Sequence, residues 1–275
     1  MVLSLDWLLL AFELVGLGVA VGAAGTLVGL GGGFIVVPIL LTVFNFEPGM
    51  AAGTSMVMIF FNSLSGSIAY LRQRRVDLLV GISMALSTIP GTIIGGIAVG
   101  LFDTSSFRLA FAILLLSASL YMMFRPAKFE GGSGIKKWST LRRIVDNSGH
   151  EYSYVFNIPI GAVISFFVGI LANMFGIGGG IIHVPTMILL FGVPTHVATA
   201  TSHFILMVTS FSGLGVHLQL GNIDLSTAIP LGLGAVIGAQ LGARISQRVR
   251  GRTLERIFSV FLMALVVRLI LQNVI

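Results

Sequence analysis

Two glycine-rich runs are the segments of this sequence best suited to bind a ligand. The chain reads Gly-Leu-Gly-Gly-Gly at 29–33 and Gly-Ile-Gly-Gly-Gly at 176–180, and a short apolar stretch follows each run. Backbone without side chains can approach a ligand closely. The helix predicted after each run would offer free N–H groups and the positive end of its dipole, which suits an anion. The alternative is close packing of helices through small residues. The backbone groups expected to bind the anion are those of Gly31, Gly32, Gly33, Gly178, Gly179 and Gly180.

Four histidines lie in a long segment, 152–223, that contains no Asp, Glu, Lys or Arg. A neutral imidazole can donate a hydrogen bond to an anion, and a protonated one adds a positive charge. Ionisable residues inside a membrane are functional candidates. We therefore expect His183 and His203 to bind the anion, with burial between helices as the alternative for each. His196 and His217 lie near predicted helix ends and are expected to be structural.

Neutral hydroxyl and amide side chains close to these features are further candidate donors to the anion. In membrane helices such groups commonly bond their own backbone instead, which is the alternative for each of them. The candidates are Thr54, Ser55, Asn62, Asn173, Thr201 and Ser202. Because the chain has no cysteine and no acidic residue near the histidines, we expect neither a disulfide nor a metal site. Neither glycine run matches a P-loop or a dinucleotide fingerprint, so no cofactor is expected.

The composition assigns these residues to a membrane protein. The chain has 275 residues, of which 56% are hydrophobic and 9% charged, and its mean hydropathy is +1.02. Soluble domains carry about 25% charged residues, so an ordinary soluble enzyme, a disordered chain and a nucleic-acid binder are excluded. About 20 apolar residues are needed to span a bilayer. Residues 14–46, 48–71 and 78–102 carry no charge, and most of the chain is therefore expected in lipid.

The sequence is an internal duplication with a displacement of 147 residues. Between 29–55 and 176–202, 11 of 27 positions are identical without a gap. We predict a first transmembrane repeat over 1–125, a solvent-exposed linker over 126–151, and a second repeat over 152–275. Asp77 and Asp224 are expected to cap helices, because Asp accepts from free N–H groups at a helix start. The predicted helices cover about 6–28, 34–46, 50–71, 78–101 and 107–124, then 154–175, 181–193, 197–218, 225–244 and 254–272.

The positive charges predict how the two repeats are oriented. Basic loops occupy different positions in the two halves, near 72–75 in the first and 244–256 in the second. If each half crosses the membrane five times, the halves are inverted and 14 of the 16 Lys and Arg residues lie on one side. If each half crosses four times, the halves are parallel and the charges divide more evenly. The positive-inside rule favours the inverted arrangement. We therefore predict an all-α membrane protein with two inverted repeats of about five segments, a cytoplasmic linker and external termini. Glycine-broken short helices are expected at the repeat interface, where such transporters bind their substrates.

The doubled motif resembles the TauE/SafE sulfite exporter family of membrane permeases. The resemblance is carried by the runs that extend from Gly29 to Pro38 and from Gly176 to Pro185, each followed by Ala-x-x-Thr-Ser, and it covers nearly the whole chain except the linker. It implies a bacterial inner-membrane secondary carrier that moves sulfite, sulfoacetate, taurine-related sulfonates or other small anions. The histidines have no counterpart in the first half, where Val36 and Met56 occupy the positions of His183 and His203.

Several functions remain open at this point. Export of a sulfur-containing oxyanion is the first interpretation, and an uptake permease or channel-like pathway for another anion is the second. A membrane-embedded enzyme or assembly subunit belongs to a different class; the absence of paired catalytic acids disfavours an enzyme, and the glycine breaks disfavour a scaffold. The expected partners are a small anion and the lipid bilayer, with protons as a candidate coupling ion and no nucleic acid. The sequence does not determine the oligomeric state.

Overall fold

The computed structural model describes residues 5–124, 138–247, 263 and 266–267. The fold is mostly helical. Its helices are α1 (Leu5–Val28), α2 (Gly33–Thr42), α3 (Pro48–Arg72), α4 (Leu78–Ala98), α5 (Thr104–Phe124), α6 (Ile158–Met174), α7 (Gly180–Phe191), α8 (Thr195–Gln219) and α9 (Leu225–Ile245). A short 3-10 turn, Val99–Leu101, extends α4, and the strands β1 (Ser139–Val145) and β2 (Glu151–Asn157) precede α6. The helix predicted over 254–272 lies outside the described residues apart from three positions.

Five of the described helices are long and apolar enough to cross a membrane. They are α1, α3, α4 with its 3-10 turn, α8 and α9. The helices α2 and α7 contain only 10 and 12 residues. At 1.5 Å per residue they measure about 15 and 18 Å, which is shorter than the roughly 30 Å hydrocarbon core. Each short helix therefore covers only part of that thickness, and the glycine break before it and the loop after it lengthen the segment that joins the flanking long helices.

The duplication is visible in the helix boundaries. The helices α3 and α8 each have 25 residues, α4 and α9 each have 21, and the members of each pair start 147 residues apart. The two predicted caps are confirmed. The Asp77 carboxylate accepts from the Val80 N–H at 3.1 Å, and the Asp224 carboxylate accepts from the Thr227 N–H at 3.2 Å.

The first long helix of each half packs along the fourth helix of the other half. Glycines of α9 lie against backbone carbonyls of α1, so that a Cβ on Gly234, Gly238 or Gly242 would overlap Val15, Val19 or Ala23 respectively. In the same way, Gly91 and Gly95 of α4 lie against Phe166 and Ile170 of α6. Small residues that let two helix backbones approach are typical of helix packing in membranes. Because the paired positions advance together along the chain, the two helices in each pair run parallel.

The helices α3 and α8 cross at the centre of the fold and run in opposite directions. The hydroxyl oxygens of Ser63 and Ser210, which are equivalent residues of the two halves, lie 3.4 Å apart. On one side of this point Met56 lies near Gly213, and on the other side Gly66 lies near His203. Equivalent residues that contact each other across the two halves are the pattern of a two-fold arrangement.

The segment before α6 differs from the prediction. An exposed linker was expected to 151, followed by a helix from 154, but β1 and β2 form an antiparallel hairpin and α6 begins at Ile158. The physical reason is local. Aromatic residues occupy every second position along 152–156, with Ser153 and the β-branched Val155 between them, a pattern that favours a strand. Gly149 with φ 81° supplies the turn, and Asn157 caps the helix by accepting from the Ile160 N–H.

The hairpin is bound to the loop between α3 and α4. The Arg142 guanidinium donates two hydrogen bonds of 2.8 and 2.7 Å to the Asp77 carboxylate, and the Tyr154 hydroxyl donates a third of 2.6 Å. Burial alone would raise the pKa of Asp77, but these hydrogen bonds and the Val80 N–H outweigh it and hold that pKa below its ordinary value. A second ion pair joins Arg75 to Asp146 at 3.4 Å. The hairpin and the α3–α4 loop therefore lie on the same side of the helices.

Candidate functional site

Both glycine runs form breaks between helices, from α1 to α2 and from α6 to α7. Each break contains three glycines with positive φ: Gly29, Gly31 and Gly32 have values of 80°, 78° and 86°, and Gly176, Gly178 and Gly179 have 66°, 74° and 91°. Residues with side chains rarely adopt this conformation. The left-handed Gly32 and Gly179 precede the first residues of α2 and α7. The breaks are buried, and the first N–H groups of each short helix have no acceptor within that helix.

The two breaks meet where α3 and α8 cross. A Cβ on Gly33 would lie 2.6 Å from the carbonyl oxygen of Gly176, and a Cβ on Gly180 would lie 2.6 Å from that of Gly29. Gly31 and Gly178 both face the side chains of Ile59 and Leu206, which are equivalent residues of the two halves. The N-terminal ends of α2 and α7 are therefore brought together at the centre of the protein. The six glycines predicted to form the site lie in these two breaks.

Two of the predicted hydroxyls hold the breaks in place. The Ser55 hydroxyl donates to the Gly176 carbonyl at 2.7 Å, and the Ser202 hydroxyl donates to the Gly29 carbonyl at 2.9 Å. Each serine thus belongs to one half and binds the break of the other. Both side chains are fully buried. Because each hydroxyl bonds a carbonyl of the opposite break, these serines fix the backbone of the breaks.

Thr54 and Thr201 have a different role from their serine neighbours. The Thr54 hydroxyl accepts from the Asp224 N–H and the Thr201 hydroxyl accepts from the Asp77 N–H, both at 3.0 Å. These bonds hold the loops before α9 and α4. The structure therefore gives both threonines partners at the helix ends and does not bring their hydroxyls to the glycine breaks.

The two predicted asparagines occupy positions that are not equivalent. Asn62 donates to the Gly31 carbonyl at 3.1 Å and accepts from the Thr26 hydroxyl at 3.2 Å. Asn173 donates to the Thr92 carbonyl at 2.7 Å, and its Oδ1 is buried without a partner in the described part of the chain. Asn62 therefore contacts a break directly, whereas Asn173 precedes its break and bonds α4.

Three of the histidines, His183, His203 and His217, are buried between helices, and each contacts a hydroxyl or a carbonyl. His183, in the first turn of α7, has its Nε2 2.9 Å from the Ser165 hydroxyl. His203 has its Nε2 3.1 Å from the Thr26 hydroxyl. His217 has its Nε2 3.4 Å from the Asn173 carbonyl oxygen. Within the described ranges, the Nδ1 atoms of all three rings are buried and without a partner.

Thr26 and Ser165 are polar residues of this region that the sequence reasoning missed. Both sit inside long apolar runs, where a single hydroxyl carries little signal. A hint was available for Thr26, because it is the repeat counterpart of Asn173 and lies three residues before its glycine run.

The site as a whole is neutral and rich in backbone dipoles. Its side chains are hydroxyls, amides and imidazoles, and among the described residues no three His, Cys, Asp or Glu side chains are grouped to hold a metal ion. The two helix N-termini supply positive partial charge without a fixed cation. Such an arrangement can bind an anion through N–H groups.

Comparison with known proteins identifies the family of the chain. A family model described as "Sulfite exporter TauE/SafE" matches residues 14–269. The chain belongs to the TauE/SafE sulfite exporter family. The probable membrane transporter protein YunE of Bacillus subtilis is 37% identical over 229 residues, which cover 81% of this chain and 83% of YunE. No solved structure matches the chain.

More distant relatives of this TauE/SafE protein carry the same description. The probable membrane transporter protein MJ0441 of Methanocaldococcus jannaschii is 27% identical over 77% of this chain and 74% of its own length. A probable membrane transporter protein of Haemophilus influenzae is 24% identical over 75% of this chain and 74% of its own length. The family and its relatives identify an integral membrane transporter, not an enzyme. A small-molecule substrate and a membrane setting follow from this family.

Proposed function

We propose that this transporter exports a small sulfur-containing oxyanion, sulfite or an organosulfonate, which binds between the two glycine breaks. The observation that carries the proposal is the meeting of the N-termini of α2 and α7, where Gly33 lies against the Gly176 carbonyl and Gly180 against the Gly29 carbonyl. A sulfonate or sulfite group presents three acceptor oxygens, and hydrogen-bond donors can bind it without a metal ion. Two helix N-termini that face one point match such a group with N–H donors and positive dipole ends.

The side chains around the breaks support a polar ligand in an otherwise apolar core. Ser55, Ser202 and Asn62 bond carbonyls of the breaks. The first N–H groups of each break donate to carbonyls at the ends of α1 and α6, so the donors proposed for the ligand are the N–H groups at the starts of α2 and α7, those of Gly32, Gly33, Gly179 and Gly180. His183 lies in the first turn of α7, where a neutral ring adds a further donor to an oxyanion. Non-helical backbone at this depth is tolerated where it lines a cavity or is buried in protein.

We further propose that the two halves form inverted repeats in the membrane of the cell, with the hairpin on the cytoplasmic side and both termini outside. Two observations and one general rule support this arrangement. The equivalent helices α3 and α8 cross in opposite directions. The hairpin binds the α3–α4 loop, which carries Arg74 and Arg75 and follows Arg72 at the end of α3. The positive-inside rule assigns such a basic side to the cytoplasm.

Inverted repeats allow one binding site to open to either side in turn. In transporters of this kind the site lies near the bilayer midplane, and one repeat rocks against the other. Here the breaks lie where α3 and α8 cross, and each is held by a serine of the other half. Movement of the halves therefore changes access to the site while the reciprocal contacts keep its geometry. Uptake of another small anion by the same route is the second candidate.

The test is transport by the purified chain in proteoliposomes. Sulfite, sulfoacetate, isethionate, taurine, sulfate, chloride and acetate are offered one at a time, and both influx and efflux are measured. We expect transport of sulfite or a sulfonate, with sulfate, chloride and acetate at least tenfold slower. Transport of acetate or chloride alone would favour the second candidate. Transport of none of the seven would refute both.

A matched pair of variants locates the binding site. Gly33→Ala and Gly180→Ala each insert a methyl group against the opposite break, whereas a Cβ on Gly16 of α1 meets nothing within 4 Å. We expect both break variants to lose at least tenfold in apparent affinity for the transported anion, while Gly16→Ala keeps the wild-type value. Equal affinities in all three variants would move the site away from the breaks.

A further inference from the structure

A chain of hydrogen bonds links His203 to the first glycine break. The Asn62 amide nitrogen donates to the Gly31 carbonyl at 3.1 Å, which fixes the orientation of the amide and leaves its oxygen as an acceptor. The Thr26 hydroxyl donates to that oxygen at 3.2 Å. Thr26 has only one hydroxyl proton, so its 3.1 Å contact with His203 Nε2 requires that the ring donate.

This geometry determines the tautomer of His203. The proton of the neutral ring lies on Nε2, and Nδ1 carries a lone pair. The ring is fully enclosed by protein. Its Nδ1 atom is buried and has no hydrogen-bond partner within the described ranges. An imidazole nitrogen in this state can accept a proton without breaking any bond of the chain.

The surroundings of the ring leave Nδ1 without a competing charge. From α1 the ring meets Thr26, and from α3 it meets Gly66 and the edge of Tyr70, whose ring centre lies 5.7 Å away. Tyr70 is the titratable group that faces His203 among the described residues, and its hydroxyl donates to the Thr26 carbonyl at 2.7 Å. Among the described residues, no hydrogen bond or ion pair joins an Asp, Glu, Lys or Arg side chain to the ring.

The other buried histidines have different roles. His217 is the repeat counterpart of Tyr70, and it contacts the Asn173 carbonyl just as Tyr70 bonds the Thr26 carbonyl. This equivalence assigns His217 to holding the end of α6. His183 bonds Ser165 on α6, whereas the chain from His203 reaches a carbonyl of the break itself.

We propose that Nδ1 of His203 binds the one proton that accompanies the transported anion. The proposal rests on the proposed anion site between the breaks. Met56 occupies the position of His203 in the first half. The chain therefore has one histidine of this kind and not a symmetric pair. One proton and one monovalent anion carry no net charge together, so the coupled step is electrically neutral. A proton gradient directed into the cell would draw this pair inward, so export by this route follows the outward concentration gradient of the anion.

The burial of the His203 ring makes the coupling between the proton and the anion strict. A positive ring in an apolar core is costly unless an opposite charge is close. An anion at the breaks provides that charge, and the side chains of Thr26 and Asn62 lie between it and the ring. The protonated ring in turn raises the affinity for the anion, because coupling between two sites is reciprocal. Each ligand therefore raises the affinity for the other, and neither is carried efficiently alone.

The test measures proton coupling in proteoliposomes with the anions of the same panel. A pH gradient is imposed and accumulation of the transported anion is recorded, while anion counterflow at equal pH on both sides reports transport that needs no net proton movement. We expect the wild type to accumulate the anion with one proton per monovalent anion. The membrane potential should not change that accumulation.

The variants separate the proton site from a structural role. In His203→Gln the amide still donates to Thr26 but cannot be protonated, so we expect the ratio of gradient-driven accumulation to counterflow to fall at least tenfold. His217→Gln is the matched control and should keep the wild-type ratio. If His203→Gln does not fold, the same ratio is measured in His203→Met, which introduces the residue of the equivalent position in the first half. The number of protons carried per anion by the wild type then serves as the second measurement.

The outcomes distinguish the two proposals. If the wild type transports no anion of the panel, the anion site fails and the proton site fails with it. If anions move but the pH gradient drives no accumulation, or His203→Gln keeps the wild-type ratio, the proton site alone is refuted. A loss of coupling in His217→Gln equal to that in His203→Gln would also refute it.

Discussion

The contact between Asp77 and the hairpin offers a quantitative test, because the duplicated position Asp224 lacks such a contact. Asp77→Asn keeps the helix cap, since Asn is as good a cap as Asp, but it removes the charge that Arg142 and Tyr154 bind at 2.6–2.8 Å. Asp224→Asn makes the same exchange where the carboxylate bonds the side chains and backbone of its own neighbours, Ser226 and Thr227.

The expected size of the effect follows from these contacts. Hydrogen bonds to charged groups contribute about 1.5–3 kcal/mol each. The Asp77 side chain is fully buried, while a quarter of the Arg142 side chain is exposed and can find water after the exchange. We therefore expect Asp77→Asn to cost about 2–3 kcal/mol and Asp224→Asn less than about 1 kcal/mol. In melting temperature the difference is roughly 4–8 °C.

The pH dependence provides a second readout. Because the folded-state pKa of Asp77 lies below its ordinary value, the stabilisation is present above the unfolded-state pKa of about 4. It is lost as pH falls through the lower folded-state pKa. The melting temperatures of the wild type and Asp77→Asn should therefore converge below about pH 4.

The assay is thermal unfolding of the purified protein in detergent, followed by intrinsic fluorescence between pH 3 and pH 8. Equal melting temperatures for the two Asn variants at pH 7 would refute the assigned role of the hairpin. A gap between the wild type and Asp77→Asn that stays constant down to pH 3 would show that its cause is not the charge.

Three further predictions test the breaks, the packing and the orientation. Gly32→Ala should weaken sulfite binding at least tenfold. It should lower the melting temperature by only a few degrees, because a left-handed residue with a side chain costs about 1–2 kcal/mol. Normal affinity with a large loss of stability would assign this glycine to packing. Gly238→Leu should prevent folding because α1 lies against it, whereas Gly215→Leu should fold, since a Cβ there meets nothing within 4 Å; similar expression and melting of both would contradict the packing. Single cysteines in this cysteine-free chain should label from outside intact cells at Asn222 and not at Ser148, and protection of Asn222 would contradict the inverted orientation.

The sequence by itself determined the membrane character, the duplication and most helix boundaries. These features depend on composition and on local patterns, which can be recognised in the sequence without knowing which helices pack together. The caps at Asp77 and Asp224 were predicted because a helix start has its own local chemistry. The glycine breaks were predicted as non-helical because three glycines interrupt an apolar run.

The β-hairpin was missed for a different reason. Its strands are only seven residues long, and they follow glycines and basic residues that indicate an exposed linker. A two-stranded hairpin is marginal on its own, and this one is held by Arg142 on Asp77 and by Asp146 on Arg75. Those contacts join residues more than 60 positions apart, which no local pattern encodes.

Only the tertiary structure decided what each polar side chain does. Thr54 and Ser55 are neighbours in sequence, yet one holds the start of α9 and the other holds the Gly176 carbonyl. The hydrogen bond from Ser202 to Gly29 spans 173 residues, and the one between Thr26 and His203 spans 177. Such partners are set by the packing of one half against the other, because most buried polar groups in an apolar core bond whichever partner the fold brings within reach.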